Sequence, residues 1–142
     1  MTAASDPTCI FCLIIAGQEP ASLVYQDERT LAFMDIRPAV PGHLLVIPRA
    51  HSAALAGLDP EDAAHLMRVA QRMAAAVRAS GLRCEGINLF VADGEAAGQD
   101  VFHVHLHIIP RYPGDGMRIG ANWAFPERSS LDAQAQRIRQ VL

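Results

Sequence analysis

Residues 103–111 read His-Val-His-Leu-His-Ile-Ile-Pro-Arg. Side chains alternate across an extended strand, so His103, His105 and His107 share one face while Val104, Leu106 and Ile108 turn the other way, into a core. The pattern predicts a strand over residues 101–109. A lone histidine is most often a hydrogen-bonded, partly buried residue, and His43 and His65 are read that way. Three at period two have no packing reason, because they set costly polar rings side by side. A neutral imidazole can attack phosphorus and carry a phosphoryl or nucleotidyl group. It does so when an acceptor holds one ring nitrogen as N–H and the other presents its lone pair. Metal binding by all three rings is the rival reading.

Directly upstream, Asp93-Gly-Glu-Ala-Ala-Gly-Gln-Asp100 sets two glycines around a loop that leads into the histidines. Its backbone N–H groups are expected to approach a phosphate.

The rest of the chain supplies a frame for that strand. Residues 9–16 read as a short helix stopped by Gly17, and residues 1–8 as a flexible N-terminus. Residues 22–27 and 30–35 form a hairpin around a polar turn, and 37–42, with two prolines and a glycine, form a loop. Residues 43–48 are a third strand whose apolar run Leu44–Ile47 implies burial on both faces. The clearest helix is 59–80. Asp59 caps it, Pro60 suits its first position, Glu61 and Asp62 complement its dipole, and Leu66, Ala70, Met73 and Val77 form one apolar stripe. Gly81 closes it. Residues 86–91 are a fourth strand, and Ser129 or Ser130 caps a last helix ending near Arg139. With no repeat or linker, residues 9–142 are one domain. With no βαβ rhythm, it is α+β, its helices packed on one side of an antiparallel sheet.

Composition excludes several functions. All twelve basic residues are arginines, so neither a Schiff-base lysine nor a Walker-type lysine exists. A net charge of −3 without a cationic cluster argues against a nucleic-acid polymer as partner. No apolar stretch has the roughly 20 residues of a membrane span, so no membrane partner is expected. Three cysteines make no disulfide framework and fit a reducing, cytoplasmic setting. Cys9 and Cys12 have the gap of a zinc half-site, a spacing shared with redox pairs and with inert core cysteines.

With the triad and its Gly98-Gln99 approach on the page, the chain resembles the histidine-triad (HIT) family, whose signature alternates histidine and apolar residues as residues 103–109 do. The resemblance extends to Cys9-Ile-Phe-Cys12, Asp35-Ile-Arg-Pro38, Pro41-Gly-His-Leu-Leu-Val-Ile-Pro48 with His51, and Ala97-Gly-Gln99. It implies a five-stranded antiparallel sheet with one long and one or two short helices, assembled as a homodimer. His105 would attack the α-phosphate of a purine nucleotide and form a nucleotidyl-imidazole that water hydrolyses, with the carbonyl of His103 orienting its ring. His107 and Gln99 would contact phosphate oxygens. Asp35 would bind ribose beside a base pocket at Ile36, Asp100 would lie near the scissile phosphate, and Val101 would also contact the substrate. Substrates would be phosphoramidates, acyl-adenylates or dinucleoside polyphosphates.

The resemblance also implies that Cys9, Cys12, His51 and His103 hold a structural zinc. Transfer to an acceptor other than water, and a non-catalytic zinc-stabilised nucleotide-binding module, remain alternatives. From the residues alone, Asp35 also reads as a turn residue and Gln99 as a loop cap. Two positions depart from the family pattern. Ala92 stands where many relatives carry asparagine, and Asp100 stands where some carry serine or threonine.

Overall fold

The computed structural model describes residues 4–142. Five strands, β1 (Leu23–Gln26), β2 (Thr30–Met34), β3 (Leu44–Pro48), β4 (Gly86–Phe90) and β5 (Leu106–Arg111), form one sheet in the order β1-β2-β3-β5-β4. Every neighbouring pair is antiparallel. Three helices accompany it: α1 (Ile10–Ile15), α2 (Pro60–Ala79) and α3 (Arg128–Arg139).

The helices do not share one side of the sheet, as the sequence suggested. Leu66, Val69, Ala70, Met73 and Val77 of α2 pack with Ala32, Leu44, Val46, Leu106 and Ile108. On the opposite face, Phe11 and Cys12 of α1 pack with Leu31, Phe33, Leu45 and Ile47. The alternation inside β2 and β3 therefore serves two cores, which is why β3 is apolar without interruption and buried throughout. α2 begins as expected, with Asp59 accepting the Glu61 N–H at 2.8 Å.

β5 starts later than residues 101–109 implied. It pairs with β3 only at Leu106, His107 and Ile108, and continues to Arg111 against β4. Upstream, the Val104 N–H donates to the Ser52 carbonyl, and the Pro48 carbonyl accepts from the His103 ring, so the polar groups there are used outside the ladder. Pro110 is tolerated because only β4 flanks the strand at that point.

The expected flexible segment 1–8 falls partly on residues 1–3, outside the described residues. The Ala4 carbonyl accepts the His51 N–H, and Asp6 accepts from Thr8. α3 starts at Arg128 after Glu127 and makes no side-chain cap, so neither Ser129 nor Ser130 caps it, and none of its residues is buried.

Candidate active site

Although His103 and His105 precede the regular strand, the alternation holds. Val104, Leu106 and Ile108 are buried under α2, and the imidazoles turn to the opposite face, where His103 and His105 meet Phe11 of α1. His105 is 3% exposed and sits edge-on to Phe11, with ring centroids 5.2 Å apart. Its Nδ1–H donates to the His103 carbonyl at 2.7 Å. A carbonyl only accepts, so the proton stays on Nδ1 and the lone pair belongs to Nε2. His105 lines a groove of about 940 Å³ together with Asp35, Ile36, Asp100, Val101 and His107. That volume fits a ligand of nucleotide size.

His107 is set by a neighbour that sequence reasoning treated as ordinary. The Ala39 N–H donates to His43 Nδ1 at 3.0 Å, which puts the His43 proton on Nε2. That nitrogen is 2.9 Å from His107 Nδ1 and 3.4 Å from Asp35 Oδ2. His43 thus donates to His107 Nδ1, leaving the His107 proton on Nε2. Burial pushes the His43 pKa down against the pull of Asp35. Burial, then the neighbouring His105 and His43, bring His107 down to about 4. Both rings are therefore neutral near pH 7, as this pattern requires. Phe90 stacks on His107 with centroids 4.4 Å apart. The signal for His43 was its period-two relation to Leu45, which the register places opposite His107.

His103 is fully buried, and its Nε2–H donates to the Pro48 carbonyl at 2.8 Å, so Nδ1 carries its lone pair. Burial, with smaller contributions from His51 and His105, lowers its pKa to about 4 against the Pro48 hydrogen bond. Nδ1 faces Cys9 Sγ at 3.5 Å, Cys12 Sγ at 3.6 Å and His51 Nδ1 at 3.2 Å, and Cys12 Sγ lies 3.4 Å from His51 Nδ1. Ordinary zinc bond lengths in a tetrahedron place sulfur and nitrogen ligands about 3.6 Å apart and two nitrogens about 3.3 Å apart. The four donors of Cys9, Cys12, His51 and His103, which lie within 4.8 Å of one another, fit that group. The Asp6 N–H donates to Cys12 Sγ, and its carboxylate lies 3.8 Å from His51 Nε2.

The other expected residues divide. Asp35 lines the groove and also makes the turn read as its ordinary role, its Oδ1 accepting the Arg37 N–H at 2.8 Å. Ile36 is fully exposed at the groove, and Val101 lines it. Asp100 Oδ1 lies 3.8 Å from His105 Nε2.

Gln99 does not line the groove. It is buried, its Nε2 donates to the Ala53 and Val101 carbonyls, and its Oε1 accepts the Gly94 N–H. No side-chain hydrogen remains for a phosphate, and the loop-cap reading describes it. The glycine loop is likewise closed on itself. Gly94 and Gly98 adopt φ of 97° and 88°, which only glycine takes without strain, and they bracket a single helical turn, Glu95–Ala97. The N–H groups of Ala97 and Gln99 donate to the Gly94 carbonyl, and that of Gly98 to the Glu95 carbonyl. His65 serves structure, bonding Asp27 at 2.7 Å between α2 and the β1–β2 turn.

A family model described as "HIT domain" matches residues 16–114. An uncharacterized HIT-like protein of Mycobacterium tuberculosis is 39% identical over 134 residues, covering 94% of this chain and 92% of its own length. Among solved structures, a zinc-bound histidine triad family protein from Mycobacterium smegmatis is 40% identical with a TM-score of 0.74, over 95% of this chain and 98% of its own. A histidine triad nucleotide-binding protein from Candida albicans is 27% identical with a TM-score of 0.85, over 94% and 96%. A HIT family hydrolase from Legionella pneumophila is 35% identical with a TM-score of 0.64, over 81% and 98%.

Proposed function

This chain belongs to the HIT domain family, and on that premise we propose that it is a nucleotide hydrolase working through a covalent His105 intermediate. The single observation that carries the reading is the 2.7 Å bond from His105 Nδ1–H to the His103 carbonyl, which leaves Nε2 as a nucleophile in the groove. The Candida nucleotide-binding protein and the Legionella hydrolase support the ligand and the reaction class. In the first step the Nε2 lone pair attacks the α-phosphorus of a purine nucleotide. An N–P bond forms, and the leaving group departs with the electron pair of the P–N or P–O bond and takes up a proton. In the second step water attacks phosphorus, the N–P bond breaks, its electrons return to Nε2, and a proton goes to solvent. The products are a nucleoside monophosphate and the protonated leaving group.

His107 donates its Nε2–H to a phosphate oxygen in this reading, and His103 positions the nucleophile. Asp35 binds the ribose hydroxyls, with Ile36 against the base and Val101 and Asp100 near the phosphate. Cys9, Cys12, His51 and His103 would hold a structural zinc. Four protein ligands leave it no open position, so its chemistry is to cross-link the N-terminal segment to the histidine segment.

The protein acts as a homodimer in a reducing, cytoplasmic compartment. The exposed side chains of Ile119, Trp123 and Phe125 support the first of these and the three free cysteines the second.

Brief mixing with a nucleotide labelled at the α-phosphate, quenched at neutral or alkaline pH, should leave label on His105. His105→Ala should abolish both the label and monophosphate release. Undiminished turnover in that variant sinks the reading. Product analysis with and without inorganic phosphate separates hydrolysis from transfer.

A further inference from the structure

The charged side chains lining the groove are unbalanced. Glu19, Asp35 and Asp100 face it, with Arg37 as the one arginine among the described lining residues. The arginine does not cancel its neighbour. Arg37 comes no closer to Asp100 than 3.9 Å, with side chains 91% and 66% exposed, a contact worth little in water. The chain contains no lysine. The backbone N–H groups of Gly94, Ala97, Gly98 and Gln99 and the Gln99 side-chain amide are committed within the loop or to Ala53 and Val101, and so are not free to receive extra phosphates. A substrate with one charged phosphorus centre can be met by His107. A polyphosphate tail brings further negative charge to a groove with little to receive it.

Asp100 is the carboxylate best placed to discriminate. Its Oδ1 accepts the Val101 N–H at 2.9 Å, which holds that oxygen 3.8 Å from the attacking nitrogen of His105. Any phosphorus in bonding range of Nε2, and the leaving group beyond it, lies within about one Debye length of this charge, where electrostatic attraction and repulsion persist at physiological salt.

We propose that Asp100 is a specificity-determining residue that favours leaving groups carrying positive charge and disfavours polyphosphate ones. The inference rests on the His105 reading and names its substrate class: nucleoside phosphoramidates of amines that retain a cationic group. On P–N cleavage the amine nitrogen keeps the bonding pair and gains one proton from water, becoming a neutral amine, so the positive charge that leaves beside the carboxylate is the one the remote ammonium already carried.

The test compares the wild-type protein with Asp100→Asn and Asp100→Ser on three substrates. These are the adenosine phosphoramidates of ethylamine and of ethylenediamine, which differ by one remote ammonium, and diadenosine tetraphosphate. The wild type should prefer the ethylenediamine compound over the ethylamine compound by about two- to fivefold in kcat/KM, the size expected of one screened contact to a largely exposed carboxylate. The preference should shrink as salt rises. Both variants should bring it close to one and raise kcat/KM on diadenosine tetraphosphate by about tenfold. Turnover with the same preference in all three proteins overturns the role of Asp100 and leaves the His105 reading standing. No monophosphate release by the wild type from any of the three overturns both.

Discussion

His103 commits its ring and its carbonyl to different neighbours. Nδ1 faces Cys9, Cys12 and His51, Nε2–H is held by Pro48, and the carbonyl holds the His105 proton. One residue thus joins the zinc-type donor set to the proposed nucleophile. Cys12→Ser, which does not touch the groove, should bind well under one zinc per chain by elemental analysis. It should also lower kcat at least tenfold, because the segment carrying the His103 carbonyl loosens. Full activity in a zinc-free variant would show that the carbonyl stays in place without the metal. His43 acts at the same scale by setting the proton of His107. His43→Phe keeps a buried ring but removes that donor, and steady-state kinetics should show kcat falling roughly tenfold with little change in KM.

At the scale of elements, α1 and α2 press the histidine segment from opposite faces of the sheet. The α2 stripe packs on Val104, Leu106 and Ile108, whose burial forces the imidazoles the other way. Leu66 is 3% exposed inside that core. Leu66→Ala should cost about 2–5 kcal/mol, read as a lower urea midpoint with little change in slope. The stripe and its Asp59 cap were legible because helix period and capping chemistry are local. The beginning of β5 was not. Ser52, far away in the chain, takes the Val104 N–H that would otherwise extend the ladder, and the Pro48 carbonyl is taken up by the His103 ring.

For the whole molecule, pH acts through rings buried in neutral form. The His107 pKa falls from an ordinary value of about 6.5 to about 4, and that of His43 moves the same way. Between those values the unfolded chain binds more protons than the folded one, so stability is lost as pH falls from about 6.5 towards 4. Thermal unfolding should show Tm decreasing across that window, with a shallower slope in His107→Asn. A second loss follows at lower pH. Burial raises the Asp27 pKa, but hydrogen bonds from His65, Arg29 and Tyr25 outweigh it and bring the pKa down to about 2. The exposed segment beyond β5 bears on assembly, since Trp123 and Phe125 touch little of their own chain. Sedimentation should give a dimer, and removal of residues 118–142 should shift it to a monomer.

The sequence by itself determined the strand alternation and the long helix, because each depends on spacing along a few neighbouring residues, while the choice of His105 among the three histidines came from the family resemblance. Only the tertiary structure decided which hydrogen-bonding groups are already occupied. It withdrew Gln99 and the loop amides of Gly94, Ala97 and Gly98 from the groove and brought His43 in, through partners such as Ala53 and Ala39. It also turned α1 to the face opposite α2. Such commitments are contacts between distant segments, and alternation within one strand assigns faces without saying what will cover them.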